Sequence, residues 1–171
     1  MKAVAVEALA SRLKATKGSF YWHFRNRAEL IEAAMQLWEE AHTAAVVEYA
    51  QLQSTPAERL RALLQLVLDY SRNDRVELAL LANARDPAVA PVLQRVTRRR
   101  IEYVAEQYRD IGFPPEQAEH RASIAVSVYL GHVQMAHVSG ELLPIEPAHW
   151  ERYIAEVVET LLPPRPELPS L

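Results

Sequence analysis

The sequence predicts an all-α fold, and three observations support this prediction. Apolar residues recur at spacings of three and four along almost the whole chain, which is the period of a helix that buries one face. Glycine is rare, at 4 of 171 residues, so the glycine-containing turns that connect short strands are scarce. Serine, threonine, asparagine, aspartate or proline precedes most apolar segments, as at helix N-termini.

Two short helices are predicted near the N-terminus. Residues 5–13 form the first, with an apolar face, and residues 14–15 make a tight connection. Thr16 is a suitable N-cap for the second, over residues 17–23, because its hydroxyl can accept a backbone N–H one turn ahead. The apolar face of the first helix consists of Val6, Leu9 and Leu13.

A long third helix is expected from Asn26 to about residue 52. Asn26 is its predicted N-cap, and Glu29 stands three positions later, where it completes a capping box. One apolar stripe runs along this helix and faces the core. The stripe consists of Ile31, Met35, Trp38, His42, Ala45 and Tyr49.

Proline, acidic caps and glycine delimit the remaining helices. The predicted starts are Pro56, about residue 75, Asp86 with Pro87 at the first helical position, Pro115, and about residue 147. Gly112 ends the third of these helices, because glycine tolerates the left-handed conformation of a helix C-terminus. The last two end near Gly140 and residue 162, before the pair Pro163-Pro164.

The composition excludes cysteine chemistry, and the charged residues are unevenly distributed along the chain. The chain has no cysteine, which excludes disulfides, thiolate catalysis and cysteine-based metal sites and fits a reducing cytoplasm. No apolar run approaches the roughly 20 residues of a membrane helix. Residues 1–30 hold six basic and two acidic residues, a charge of +4, whereas the whole chain carries −3. Only this basic head is therefore expected to meet an anion.

The segment TKGSFYWHF, residues 16–24, packs three aromatic residues side by side. Phe20 and Phe24 are four apart and share one helical face, which can pack on the preceding helix. Two short helices joined by a tight connection, with a polar and aromatic front, have the geometry of a helix-turn-helix. Such a helix can enter a DNA major groove if the residues at its N-terminal end are small or flexible. The residues expected to enter the groove are Thr16, Lys17, Gly18 and Ser19. The expected phosphate contacts are Tyr21, His23 and Arg27.

The stretch VEALASRLKATKGSFYWHFRNRAEL resembles the helix-turn-helix of TetR-family transcriptional regulators. The resemblance is specific to these residues. The matching positions are Ala10, Leu13, Thr16, Lys17, Gly18, Ser19, Phe20, Tyr21, His23, Phe24, Asn26, Arg27 and Leu30. It implies a homodimeric repressor with an N-terminal DNA-binding domain and a C-terminal helical domain for effector binding and dimerisation. It also implies operator contacts from Trp22 beside the four leading residues, and phosphate contacts from Tyr21, His23 and Arg27.

Two departures from the family pattern affect the head. Family members usually carry glycine where this chain has Lys14, and they have a further helix before the position of Val4. We hypothesise a start codon placed too late. The alternative is a dimeric small-molecule-binding or interaction protein that has lost DNA binding.

The expected domains are a helix-turn-helix at 1–30, a helical effector-binding and dimerisation domain at 31–163, and a disordered proline-rich tail at 164–171. Polar-tipped or soft residues on apolar faces are candidates for an effector pocket, although each could also be a core residue: Tyr70, Tyr103, Tyr129, His132 and Met135. The last two helices are expected to form a four-helix bundle with a second copy, unless they pack only within the chain. Their interface candidates are Ala118, Ala122, Ala125, Trp150, Ile154, Val157 and Leu161.

No enzyme, cofactor or metal site is expected. The chain has no nucleophile with a base at usable spacing and no pair of carboxylates in such a pattern. Its histidines form no metalloprotease-type motif. The run Arg98–Arg100 is interpreted as solvated and ion-paired, for example between Arg98 and Glu102.

Overall fold

The computed structural model describes residues 16–40, 45–138, 143–144 and 146–162. The predicted first helix at 5–13, the departure at Lys14 and the predicted tail lie outside these residues. The described residues contain eight helices and no strand, so the all-α prediction is confirmed. The helices are α1 Lys17–His23, α2 Arg27–Glu39, α3 Ala45–Gln51, α4 Pro56–Ser71, α5 Arg75–Leu81, α6 Ala90–Ile111, α7 Pro115–Val138 and α8 Pro147–Leu161.

Local capping determines where several helices begin. Thr55 caps α4 in a complete capping box with Glu58: the Thr55 Oγ1 accepts from the Glu58 N–H, and the Glu58 carboxylate accepts from the Thr55 N–H. Asn26 caps α2 by accepting from the Glu29 N–H at 3.0 Å. The predicted second half of that box is wrong, because the Glu29 carboxylate accepts from the N–H of Arg25 instead, at 2.6 Å.

The predicted start of the sixth helix at Asp86 is also wrong. The Asp86 Oδ1 accepts from the Ala88 N–H at 2.9 Å and stabilises a turn, and the helix begins at Ala90. A helix beginning at Pro87 would need an N–H from Pro91 to pair with the Pro87 carbonyl, and proline has none, so the bond from the Ala90 N–H to the Asp86 carbonyl, 2.9 Å, is not continued. At the other end, Gly112 adopts φ 107° and ends α6 as predicted.

The predicted single stripe from residue 26 to about 52 does not hold along its length. The described residues form two helices here, α2 and α3, and residues 41–44 between them lie outside the description. Met35 and Trp38 are buried as predicted, but Ala45 and Tyr49 are exposed. In α3 it is Ala50 that is buried, so the apolar face of α3 is out of phase with that of α2.

Two hydrophobic cores hold the helices together. The larger core lies around α4, which contacts α3, α6, α7 and α8, and Leu60, Leu68 and Tyr108 are among its fully buried members. In the smaller core, Met35 and Trp38 of α2 pack against the start of α6, where Val96 is completely buried. The smaller core thus joins the helix that follows α1 to the body of the protein. None of the described helices is long and apolar enough to cross a membrane.

Candidate nucleic-acid interface and effector pocket

Helix α1 presents most of its side chains to solvent. Thr16 Oγ1 accepts from the Ser19 N–H at 3.1 Å, which is the predicted cap. Trp22 is 83% exposed and Tyr21 is 52% exposed. The Trp22 and His23 rings meet edge to face, 4.7 Å between centroids. The other predicted DNA contacts with described side chains are exposed as well: Thr16, Ser19 and His23, together with Gly18.

From residue 16 to residue 30, three side chains lie outside the description. They belong to Lys17, Phe20 and Arg27, so the predicted contacts of Lys17 and Arg27 with DNA stay predictions. Among the described residues, an added Cβ at Gly18 would meet only Thr16 Oγ1, at 3.8 Å. The backbone of α1 is therefore open at this position, as close approach to another molecule requires.

An exposed ion pair orders the connection between α1 and α2. Besides accepting from the Arg25 N–H, the Glu29 carboxylate accepts from the Arg25 guanidinium, with Nε 3.3 Å from Oε2. The side-chain hydrogen bond and then the backbone hydrogen bond from Arg25 hold the pKa of Glu29 below its usual value. Glu29 therefore stays charged at neutral pH and fixes the turn that orients α1 on α2.

Ion pairs reinforce the packing of α2 on α6. Glu39 accepts from the Arg95 guanidinium at 2.7 Å, and Arg99 lies 3.9 Å away. The hydrogen bond that Arg95 donates to Glu39 raises the pKa of Arg95. These pairs lie beside the smaller core, so α2 is held to α6 by both apolar packing and charge.

A buried ion pair lies between α2 and the pocket described below. Arg100 donates two hydrogen bonds to the carboxylate of Glu77, at 3.0 and 2.9 Å, and Glu77 is fully buried. The guanidinium also stacks between the rings of Trp38 and Tyr129, 5.4 and 5.3 Å from their centroids. Burial by itself lowers the pKa of Arg100, but the hydrogen bonds and charge of Glu77 raise it overall.

Asp74 completes this buried polar cluster. It caps α5 by accepting from the Glu77 N–H at 2.8 Å, and it accepts from the Tyr129 hydroxyl at 3.2 Å. Burial, followed by the charge of Glu77, raises the pKa of Tyr129 far above its usual value. The phenol therefore stays protonated and remains a donor to Asp74.

A largely apolar pocket opens beside this cluster, between α3, α4, α6 and α7. Of the predicted effector residues, Tyr70, Tyr103 and Tyr129 line it together. Asp74 and Arg100 also line it, and the sequence analysis missed both. The remaining lining residues are Val46, Val47, Leu63, Leu64, Val67, Val104, Ala125 and Val126.

Two predicted effector residues lie elsewhere. His132 is buried against α8, where its Nδ1 donates to the Val128 carbonyl at 2.7 Å and its Nε2 lies 2.8 Å from the Tyr153 hydroxyl. Met135 is 40% exposed on the surface of α7. The structure does not bring either of them into the pocket.

The residues predicted for the dimer face pack against other helices of the same chain. The small side chains of α7 allow α4 and α6 to approach closely, and the apolar stripe of α8 packs on α4. Val157 is half-buried against the larger core. The other six are at most 6% exposed: Ala118, Ala122, Ala125, Trp150, Ile154 and Leu161.

The sequence contains signals for the buried pair of Glu77 and Arg100, which was not predicted. Glu77 interrupts the otherwise apolar run VELALL, and Arg100 ends a run of three arginines. A lone acid on an apolar helix and an excess of cations on a neighbouring one are typical of a buried pair. Within the described ranges, no group of three or more histidine, aspartate or glutamate side chains could hold a metal ion.

Comparison with known families supports the interpretation of the exposed helix. Residues 1–34 match the family model described as bacterial regulatory proteins, tetR family. A comparison with curated proteins gave no match. The matched range contains α1 and the start of α2, the same residues that form the exposed helix and its ordered turn. This match over residues 1–34 supports a DNA-binding transcriptional regulator whose N-terminal domain is of the tetR-family type.

Proposed function

We propose that the chain is a ligand-responsive repressor that binds a palindromic operator as a homodimer and inserts α1 into the major groove. The observation that carries this proposal is the exposure of α1, where Trp22 is 83% exposed. A large aromatic side chain loses stabilisation when it is left in water, so this arrangement favours contact with another molecule. Members of the family are regulators rather than enzymes, and the proposal includes no catalytic step.

The exposed residues of α1 are of two kinds: some can contact the DNA bases and others can contact the DNA phosphate backbone. Thr16, Gly18 and Ser19 are small and lie at the leading end, where they can approach base edges. Tyr21 and His23 carry polar groups that can bind phosphate oxygens. Lys17 and Arg27 supply the positive charge that such contacts need.

Dimerisation is proposed through the solvent-facing side of α7. Ile124 and Val138 are 57% and 72% exposed, and Met135 lies on the same helix. Among the described residues, an added Cβ at Gly131 would meet nothing within 4 Å, so this surface is open around its middle. A second copy packed here would give a dimer with two α1 helices, and a separation of roughly 34–36 Å between them would match successive major grooves.

Ligand response is proposed through Arg100. The guanidinium lines the pocket on one side and stacks on Trp38 of α2 on the other. Because α2 follows α1 across an ordered turn, an effector that displaces Arg100 changes the placement of α1. The effector shifts the balance only by its different affinity for the DNA-bound and released states.

The DNA-binding proposal is tested by fluorescence anisotropy with the 171-residue chain. The probes are overlapping labelled duplexes from the DNA next to its own gene, with a scrambled duplex as reference. We expect one duplex to bind more tightly than the reference, and its affinity to fall steeply with salt from about 50 to 300 mM. Tyr21→Ala and Lys17→Ala should weaken this binding.

Matched controls separate the DNA interface from general surface effects. Tyr49 is 46% exposed, which is similar to the exposure of Tyr21, but it lies in α3 and not in α1. Tyr49→Ala should therefore leave DNA affinity unchanged. Arg98→Ala removes an exposed cation of the body in the same way. Equal effects of Tyr21→Ala and Tyr49→Ala would contradict groove insertion. Absence of DNA binding by the unaltered chain would favour a small-molecule-binding protein that has lost this activity.

The dimer surface is tested with Gly131→Leu and sedimentation. The open space leaves room for the leucine within one subunit, so the variant should fold. We expect it to weaken the dimer if a second copy covers this surface. An unchanged dimer would place the interface elsewhere.

A further inference from the structure

One residue that lines the pocket has a buried polar group without a hydrogen-bond partner among the described residues. The hydroxyl oxygen of Tyr103 is inaccessible to solvent, and it has no hydrogen-bond partner in the part of the chain that the structure describes. Tyr103 lines the pocket beside Val104, opposite Leu63 and Leu64. A buried hydroxyl without a partner is unfavourable, so this position favours a bound molecule that supplies one.

The charged groups around the pocket are already engaged. Arg100 donates both of its terminal nitrogens to Glu77, and Asp74 accepts from the Glu77 N–H and the Tyr129 hydroxyl. An anionic ligand would meet the two carboxylates, and a cationic ligand would meet the guanidinium. Either charge would also lose its hydration against a mostly apolar lining, and neither would find a new counter-ion at the cluster.

We propose that the pocket binds a neutral, predominantly apolar small molecule whose single hydrogen-bonding group pairs with the Tyr103 hydroxyl. This inference rests on the ligand-binding part of the proposed function and specifies the chemical class of the effector. Valine and leucine side chains of α3 and α4 contact the apolar body of the ligand. The hydroxyl fixes its orientation, as the few polar groups of apolar pockets do.

The Tyr103 hydroxyl is available in its protonated form. Burial raises its pKa, and the nearby charge of Glu106 acts in the same direction, against the positive charge of Arg59. At neutral pH the group therefore both donates and accepts. It can bind an alcohol, a phenol or a carbonyl oxygen.

Three probes of equal chain length and different charge test the ligand class: octan-1-ol, octanoate and octylammonium. Their binding to the 171-residue chain is measured at pH 7 by isothermal titration calorimetry. We expect octan-1-ol to bind at least about tenfold more tightly than either charged probe, because neither charge gains a counter-ion in the pocket. Equal or tighter binding of octanoate or octylammonium overturns the inference, as does the absence of binding by all three.

Tyr103→Phe tests the role of the hydroxyl, with Tyr49→Phe as the matched control outside this pocket. Tyr103→Phe should weaken octan-1-ol binding by about three- to tenfold, the value of one hydrogen bond, and Tyr49→Phe should leave it within about twofold. Tyr103→Phe should also raise the Tm of the ligand-free chain by a few degrees, because it removes an unsatisfied buried group. Unchanged octan-1-ol affinity in Tyr103→Phe overturns the inference, whatever happens to the Tm.

Adding the probes to the DNA-binding measurement separates this inference from the proposed function. If octan-1-ol binds through Tyr103 and leaves DNA affinity unchanged, the ligand class stands and the ligand response fails. If a charged probe binds best and releases DNA, the ligand response stands and the neutral-ligand inference fails.

Discussion

Helix α1 and the larger core use the same aromatic residue types in opposite ways. In α1, Trp22 and Tyr21 are mostly in solvent. In the body, Trp150 is 5% exposed and donates from Nε1 to Asp69 at 2.7 Å, and the fully buried Tyr108 donates to the Leu161 carbonyl at 2.5 Å. Buried aromatics with satisfied polar tips stabilise the fold, whereas the aromatics of α1 contribute little to it. The comparison assigns stability to the larger core and leaves the aromatic residues of α1 for the proposed contact with DNA.

The ion pairs show the same contrast. Arg100 and Glu77 are buried and bidentate. Arg61 and Glu159 form a pair whose side chains are 41% and 63% exposed. Water screens the exposed pair, but the buried charges depend on each other. The following predictions test this division, from the largest expected effect to the smallest.

Trp150→Ala should lower the free energy of unfolding by about 3–5 kcal/mol, because it leaves a cavity between α8 and α4 and an unpaired acceptor at Asp69. Urea unfolding followed by circular dichroism measures the loss. A loss below about 1 kcal/mol would show that the larger core does not depend on this residue.

Glu77→Gln should cost about 3–5 kcal/mol, because it leaves the buried Arg100 guanidinium without its counter-ion. The control Glu159→Gln should cost less than about 1 kcal/mol. The double variant Glu77→Leu/Arg100→Met should recover much of the loss, since it buries no charge. Equal losses in Glu77→Gln and Glu159→Gln would contradict the distinction between the two pairs.

Stability should fall as the pH rises from about 10 to about 12. Burial raises the pKa of Tyr108 to about 12, so its stabilising contribution is complete below the unfolded pKa of about 10 and is lost as the pH rises toward the folded value. The loss from Tyr108 is on the order of 2 kcal/mol. Urea unfolding across this range should show a smaller pH slope in Tyr108→Phe, and an identical slope would contradict the assignment.

Thr55→Ala should cost about 1 kcal/mol, because it removes the hydroxyl that accepts from the Glu58 N–H and donates to the Glu58 carboxylate, leaving only the backbone half of the α4 capping box. Thr16→Ala removes a single bond at the exposed seven-residue α1 and should cost less. Thermal unfolding compares the two variants. A larger loss in Thr16→Ala would show that α1 contributes to global stability.

Trp22→Ala should change the free energy of unfolding by less than about 0.5 kcal/mol, since the ring is already in solvent. It should nevertheless weaken operator binding by about 1 kcal/mol or more, roughly fivefold. The paired measurements are urea unfolding and anisotropy. Loss of stability with unchanged DNA affinity would reverse the roles assigned to the two regions.

Helix boundaries were predictable where a side chain acts on its own neighbours. Asn26, Pro56 and Gly112 are near the predicted helix ends, because caps, proline and left-handed glycine work within one turn of the chain. Asp86 misled the prediction, since an aspartate side chain can stabilise a turn as well as a helix N-terminus. The same local signals cannot show that α3 buries Ala50 and exposes Tyr49.

The two candidate sites also differ in how far the sequence predicts them. The helix-turn-helix pattern is contiguous, so its exposed residues could be named from sequence alone. The pocket takes residues from four helices, and the sequence analysis named its three tyrosines but missed Asp74 and Arg100. The residues assigned to a dimer face pack within the chain, because an apolar stripe shows that a helix packs and does not show against which partner.

By itself, the sequence determined the all-helical fold, most helix starts and the basic, aromatic recognition segment, because helical period and capping are properties of neighbouring residues. The tertiary structure alone decided that Arg100 pairs with Glu77, 23 positions away, and stacks between Trp38 and Tyr129. It alone left the Tyr103 hydroxyl buried in the pocket. The burial of a polar group and its hydrogen-bond partners depend on which distant helices pack around it. The residues beside it in the chain do not determine this packing.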